Sequence, residues 1–116
     1  MNEALEAKAL ATFAKQAPKG QRTIEDHYQH IDYKMQVVTE ERGTMSIALI
    51  VARDQGLTLA NLATLQAYKD RGYNYAYILA FNQENIFYCE ISNVAGHVEA
   101  GTFKLNKDCM KVKPIG

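Results

Sequence analysis

The sequence predicts an α+β fold, an α/β sandwich built on one mixed sheet of about five strands with two main helices. Two segments repeat apolar residues every three or four positions, and several others alternate or are continuously apolar. Along the chain they follow the order α-β-β-(β)-α-β-β and then a tail. Because the chain has 116 residues and 47% of them are apolar, residues 1–116 are expected to form a single compact domain.

Two helices are predicted from apolar residues at helical spacing. The first covers residues 2–16, and Pro18 ends it. The second covers residues 58–71, with Thr58 as its N-terminal cap and Gly72 where a C-terminal left-handed residue belongs. Both helices therefore have one apolar side that must be buried against other elements.

Strands are predicted where apolar residues alternate or run together. The ranges are 30–38, 45–52, 74–81 and 86–92. The run "MSIALIVA" at 45–52 is unbroken, which is typical of a central strand covered on both faces. Residues 21–29 are left open between a short strand, a turn and irregular structure. One or two further short strands are expected near 102–105 and 109–113.

The composition excludes several classes of function. Thirteen basic residues balance thirteen acidic ones, so no overall charge attracts nucleic acid or an anionic membrane. No apolar run reaches the length of about 18 residues needed to span a bilayer, so no membrane partner is expected. The N-terminus has no basic signal region, and the two cysteines form no CxxC pair. A cytoplasmic location is therefore expected.

The segment "HIDYKMQV", residues 30–37, places polar side chains at alternate positions. In a strand, Asp32 and Lys34 would share one face, while Tyr33 and Met35 would share the other. An acid and a lysine on the open face of a strand suit a metal-dependent nuclease. They equally suit the polar face of an ordinary half-buried strand, and the pattern leaves both interpretations open.

The order of elements resembles the core of the PD-(D/E)XK, or restriction-endonuclease-like, nuclease superfamily over roughly residues 2–92. The resemblance implies an acid on one strand of a hairpin and an acid-x-lysine motif on the next. The carboxylates would hold Mg²⁺, which activates the attacking water and neutralises phosphate charge, and the lysine would orient that water. If the chain is an enzyme, the resemblance makes it a metal-dependent nuclease.

Two alignments to that motif disagree about activity. In the first, Asp32 is the lone acid, and the acid-x-lysine position falls at Val51-Ala52-Arg53. Valine cannot bind Mg²⁺, so the chain would be a degenerate relative that does not cleave. This alignment is preferred because it fits the strand order and leaves "TEERG" as a natural hairpin loop.

In the second alignment, Asp32-Tyr33-Lys34 is itself the motif, and Glu25 or Asp26 is the first acid. The catalytic residues would then be Glu25, Asp32 and Lys34, with Glu25 and Asp32 as the Mg²⁺ ligands. This alignment has the right residue types but leaves the long apolar strand at 45–52 without a role.

Seven tyrosines and no tryptophan indicate a second kind of site. Tyrosine is favoured where apolar area meets water, and also simply in strands. Tyr75, Tyr77 and Tyr88 are candidate binding residues, on a surface for a partner or a second subunit. Arg53, Lys34 and the lysines between positions 104 and 113 are further candidate contacts through their charge.

Three functions remain open at this stage. The preferred one is a nuclease-like domain without robust catalysis, which binds protein or nucleic acid and to which no cofactor is assigned. The first alternative is an active Mg²⁺-dependent nuclease. The second is an unrelated α/β interaction domain that forms a homodimer through its tyrosine-rich sheet.

Overall fold

Six strands form one mixed sheet, and they lie side by side in the order in which they occur along the chain. The computed structural model describes residues 3–17, 19–52, 58–93, 95–102, 104 and 107–115. The strands are β1 Gln21–Asp26, β2 Tyr33–Thr39, β3 Gly43–Val51, β4 Tyr75–Phe81, β5 Asn85–Glu90 and β6 Lys111–Pro114. The helices are α1 Glu3–Ala14, α2 Leu59–Asp70, a 3₁₀ turn Ile91–Asn93, and α3 Ala95–Glu99.

All neighbouring strands are antiparallel except β3 and β4, which are parallel. A parallel pair needs a crossover connection, and α2 provides it. The predicted α+β fold with one mixed sheet and two main helices is confirmed, with six strands in place of about five. The additional strand is β1, from the segment whose structure the sequence had left open.

The two main helices cover opposite faces of the sheet. On one face, Phe13 of α1 packs with alternate residues of β2 to β5, including Met35, Leu49, Leu79 and Ile86. On the other face, α2 packs on the intervening residues of the strands. The helix contributes Leu62, Leu65 and Tyr68, and the strands contribute Ala48, Ile50, Ala76, Ile78 and Cys89. Since β3 and β4 are covered on both faces, their sequences are almost continuously apolar, as predicted.

Local sequence signals fix the ends of α2. The Thr58 hydroxyl accepts a hydrogen bond from the Asn61 N–H at 3.1 Å, and the Asn61 side chain accepts one from the Thr58 N–H at 3.1 Å. This reciprocal capping box satisfies main-chain donors that the first turn cannot pair. Gly72 follows the helix with a φ of +102°, the left-handed conformation predicted for it.

The strand predicted at 30–38 begins later than expected. His27, Gln29 and His30 have positive φ angles and form a tight connection, so β2 starts at Tyr33. From there the expected alternation holds, since Met35 and Val37 are fully buried. Asp32 therefore precedes the strand instead of lying within it.

The tail contains one of the one or two short strands expected there. β6 corresponds to the strand expected near 109–113, whereas Thr102 and Lys104 are not in a strand and Phe103 and Leu105 lie outside the described residues. The five-residue α3 and the 3₁₀ turn were not predicted from the sequence. Within the described ranges, no helix is both long and apolar enough to cross a membrane.

Candidate functional site

Asp32 has a structural partner at the end of the neighbouring strand. Its carboxylate accepts a hydrogen bond from the main-chain N–H of Val51 at 2.7 Å, and its own N–H donates to the Leu49 carbonyl at 3.1 Å. The main chain of β2 does not reach Val51, because the β2–β3 register begins at Tyr33 paired with Leu49. The Asp32 side chain thus extends the pairing of β3 beyond the end of β2.

Lys34 is placed beside aromatic rings. Its ammonium lies 4.5 Å from the ring centroid of Tyr28 and 5.9 Å from that of Tyr73. Burial lowers the pKa of Lys34, but the two phenols outweigh that effect and the net pKa is raised. Glu25 is exposed and lies directly opposite Lys34 in the β1–β2 register, so the two side chains share a face.

The two predicted Mg²⁺ ligands lie on different segments, Glu25 in β1 and Asp32 just before β2. Across residues 3–17, 19–52, 58–93, 95–102, 104 and 107–115, no three or more His, Cys, Asp or Glu side chains are grouped to hold a metal ion. In the other alignment, Val51 is buried against the α1 side of the sheet and Ala52 against the α2 side. Arg53 lies outside the described residues.

The three candidate tyrosines are brought together. Tyr75, Tyr77 and Tyr88 project from β4 and β5 on the sheet face that α1 covers. With residues at the end of α1 and from β3 and β6, they line a groove of about 280 Å³, here called the tyrosine groove. Its other lining residues are Phe13, Gln16, Ala17, Ile47 and Lys111.

Ring contacts hold the tyrosine groove in shape. The Phe13 ring meets Tyr77 edge-on at 5.2 Å between centroids and meets Tyr88 edge-on at 5.7 Å. Such edge-to-face pairs stabilise an aromatic cluster beyond the burial of its area. Burial raises the pKa of Tyr77, and the nearby Glu90 carboxylate raises it further. The Tyr77 hydroxyl therefore stays protonated at neutral pH and can donate a hydrogen bond.

Lys111 of β6 stands at the edge of the tyrosine groove. It lies opposite Tyr88 in the β5–β6 register, and it also lines a second cavity of about 310 Å³ together with Tyr77 and Glu90. Sequence reasoning offered the lysines from Lys104 to Lys113 as charge contacts, but it did not place Lys111 beside the tyrosines. Only the pairing of β6 with β5 brings it to the tyrosines.

Glu90 is a buried acid whose carboxylate accepts hydrogen bonds from groups that hold the end of β5 in place. Its carboxylate accepts hydrogen bonds from the Lys69 ammonium at 3.1 Å, from the Ala76 N–H at 2.9 Å and from the N–H and hydroxyl of Ser92. Burial raises the pKa of Glu90, but these hydrogen bonds outweigh it and the net pKa is lowered. Glu90 is thus an ionised anchor at the end of β5.

The fold and the tyrosine groove define a small α+β domain with an aromatic surface. No family model matches the chain, and no similar curated protein or solved structure was found.

Proposed function

We propose that the chain is a nuclease-like domain that acts by binding, with a segment of a partner protein seated in the tyrosine groove. The observation that carries the proposal is the convergence of Tyr75, Tyr77 and Tyr88 on one groove of about 280 Å³. Aromatic side chains with a polar end are enriched where proteins recognise other proteins.

The geometry around Asp32 favours binding over cleavage. A metal-dependent nuclease needs carboxylates directed at a shared ion. Here the Asp32 carboxylate accepts from the Val51 N–H at 2.7 Å, and the Lys34 ammonium lies over two phenol rings. Both side chains are engaged in contacts that stabilise the sheet and its loops, as expected of a domain without nuclease chemistry.

The size of the groove favours a side chain of a partner as its occupant. Pockets that enclose small organic ligands typically span about 300–1,000 Å³. A groove of about 280 Å³ lies at the lower limit of that range and suits one or two side chains of a protein segment. The rings offer an apolar floor, and Lys111 offers one positive charge, so an apolar anchor residue next to an acidic residue fits best.

The charges near the groove disfavour nucleic acid as the occupant. Proteins that bind single strands combine stacking rings with a positively charged path for the phosphates. Among the described lining residues, Lys111 is the one cation, and the Glu90 carboxylate lies in the adjoining cavity. A protein segment with an acidic residue requires no more than that single positive charge.

A peptide selection tests the proposal. A random peptide library displayed on phage is selected on the folded protein, and enriched peptides are measured by titration calorimetry. We expect peptides with an apolar residue beside an acidic one, and about tenfold or greater loss of affinity in Tyr75→Ala and in Lys111→Glu. Tyr73→Ala is the matched control, because Tyr73 packs on the opposite face of the sheet. Selection of no peptides, or peptides equally weakened by the control, would refute the proposal.

A cleavage assay tests the alternative directly. Single- and double-stranded DNA and RNA are incubated with the protein and Mg²⁺ or Mn²⁺, beside Asp32→Asn. We expect no metal-dependent cleavage. Cleavage that requires the metal and disappears in Asp32→Asn would replace the proposal with the active nuclease.

A further inference from the structure

β1 is an open edge of the sheet. All six of its residues are exposed, and in the part of the chain that the structure describes no strand pairs with its outer side. An open edge presents unpaired main-chain donors and acceptors to any other strand. Proteins usually protect such edges with charged side chains, especially lysine, with proline, or by keeping the edge strand short.

The two edges of this sheet differ in that protection. β6, at the far edge, has the sequence Lys-Val-Lys-Pro. Its lysines would repel those of a second copy, and its proline lacks a main-chain N–H. β1 has the sequence Gln-Arg-Thr-Ile-Glu-Asp, with charges of both signs and no proline. Only β1 therefore has an edge that can accept another strand without like-charge repulsion.

The hydrogen-bond pattern shows which groups of β1 point outward. The His27 N–H donates to the Asp32 carbonyl at 2.7 Å, and the Val38 carbonyl lies tightly against Gly20. Hydrogen-bonded residues alternate along an antiparallel pair, so Gln21, Thr23 and Glu25 bond to β2. The intervening residues direct their N–H and carbonyl groups away from the sheet. These outward residues are Arg22, Ile24 and Asp26.

We propose that two copies of the chain associate through β1, antiparallel and centred on Ile24, so that their two sheets join edge to edge. In this register Ile24 lies opposite Ile24 of the second copy, and Arg22 lies opposite Asp26 of the second copy. Each of these pairs consists of residues whose main-chain groups point outward, so each pair can exchange two hydrogen bonds.

The side chains are self-complementary in this register. Residues directly opposite one another across an antiparallel pair share a face, and Arg22, Ile24 and Asp26 all lie on the face that α1 covers farther along the sheet. The Ile24 side chain is 40% exposed, and the dimer would cover it with its own symmetry mate. An arginine–aspartate pair would flank the two isoleucines on each side.

The neighbouring registers are less favourable. Centring the pair on Glu25 would place two glutamates directly opposite each other, which is a like-charge contact. Centring it on Thr23 would place Arg22 opposite Ile24 and leave Asp26 opposite Gly20. The Ile24-centred register is the one that pairs both charges and both apolar side chains.

This interface is separate from the tyrosine groove. Tyr75, Tyr77 and Tyr88 lie on β4 and β5, with β2 and β3 between them and β1. The inference therefore replaces the tyrosine-rich dimer considered from the sequence with a dimer through the opposite part of the sheet. It does not depend on the proposed function.

Charge exchange at β1 tests the dimer. Sedimentation velocity at low ionic strength is run over a range of concentrations for the wild type, Arg22→Asp, Asp26→Arg and the double exchange. Each single exchange changes two symmetry-related pairs, so we expect the dimer dissociation constant to rise about tenfold. The variant with both Arg22→Asp and Asp26→Arg restores opposite charges across the interface. Its dimer dissociation constant should return to within about threefold of the wild-type value. Glu84→Arg, in the hairpin between β4 and β5, is the charge-matched control and should leave it unchanged.

Ile24→Pro separates association from folding. Proline removes the outward N–H of Ile24 but none of the bonds from β1 to β2, so the circular dichroism spectrum should be retained while the dimer is lost. A wild type that stays monomeric up to millimolar concentration would overturn the inference. A dimer that neither the single charge exchanges nor Ile24→Pro weakens would also overturn it.

Discussion

The carboxylate of Asp32 and the main-chain N–H of Val51 are joined by a hydrogen bond of 2.7 Å. Asp32 is the residue just before β2, and Val51 is the last residue of β3. The bond therefore joins the start of β2 to the end of β3. Without it, β3 would end with an unpaired donor beside the buried Val51 side chain. A residue that the sequence offered as a metal ligand thus completes the sheet.

Replacing Asp32 should lower stability. Asp32→Ala removes the acceptor for the Val51 N–H, and a hydrogen bond to a charged group contributes about 1.5–3 kcal/mol. We expect the free energy of unfolding to fall by about 2 kcal/mol in urea denaturation. Glu41→Ala is the control, since Glu41 is exposed in the β2–β3 hairpin. Equal stability of the two variants would contradict the structural role of Asp32.

Glu90 should make the protein sensitive to acid. Its folded-state pKa lies below the ordinary value of 4.5, because hydrogen bonds to Ser92, Ala76 and Lys69 outweigh the effect of burial. Its stabilisation is therefore present above that ordinary value and is lost as the pH falls through the lower folded-state pKa. Glu90→Gln should lose less stability than the wild type between about pH 5 and about pH 3, as measured by urea denaturation. Glu84→Gln, an exposed acid, should retain the wild-type pH dependence.

Alanine substitutions at two leucines of α2 should differ sharply in their effect on the free energy of unfolding. Leu65 is fully buried between α2 and the sheet, whereas Leu59 is 62% exposed. Leu65→Ala deletes buried methyl groups and leaves a cavity, so we expect a loss of about 3 kcal/mol in the free energy of unfolding. Leu59→Ala makes the same chemical change and should cost less than about 0.5 kcal/mol. A similar loss from both would mean that α2 does not pack on the sheet as described.

The two thiols should react at different rates. Burial raises the pKa of Cys89 to about 12, and the neighbouring Cys109 and Glu90 contribute to the rise. At pH 8 its thiolate fraction is on the order of one in ten thousand, and the thiolate is the reactive form. Mass spectrometry after a short treatment with iodoacetamide should find label on Cys109 alone, which is only partly buried. Cys109→Ser should then take up label only in denaturant, and rapid labelling of that variant in buffer would contradict the burial of Cys89.

Secondary structure followed from periodicity wherever one side of an element is buried. The spacing of apolar residues predicted α1 and α2, and two of the tyrosines assigned to one candidate surface, Tyr75 and Tyr77, do share a face of β4. β1 gave no such signal, because an edge strand exposed on both faces has no pattern of burial to impose on its sequence. The positive φ angles before β2 also left no signal, since no glycine, the residue that usually marks such angles, stands at His27, Gln29 or His30.

By itself, the sequence determined the fold class, the two helices, most of the strands and the tyrosines as candidate binding residues, because each depends on local spacing and composition. The tertiary structure decided what each candidate side chain contacts. It paired Asp32 with Val51, placed Lys34 over Tyr28 and brought Lys111 beside the tyrosines. Those relationships depend on strand register and on which strands are neighbours. Strand register depends on the packing of the whole core. The local sequence pattern therefore does not show which distant residues will become neighbours.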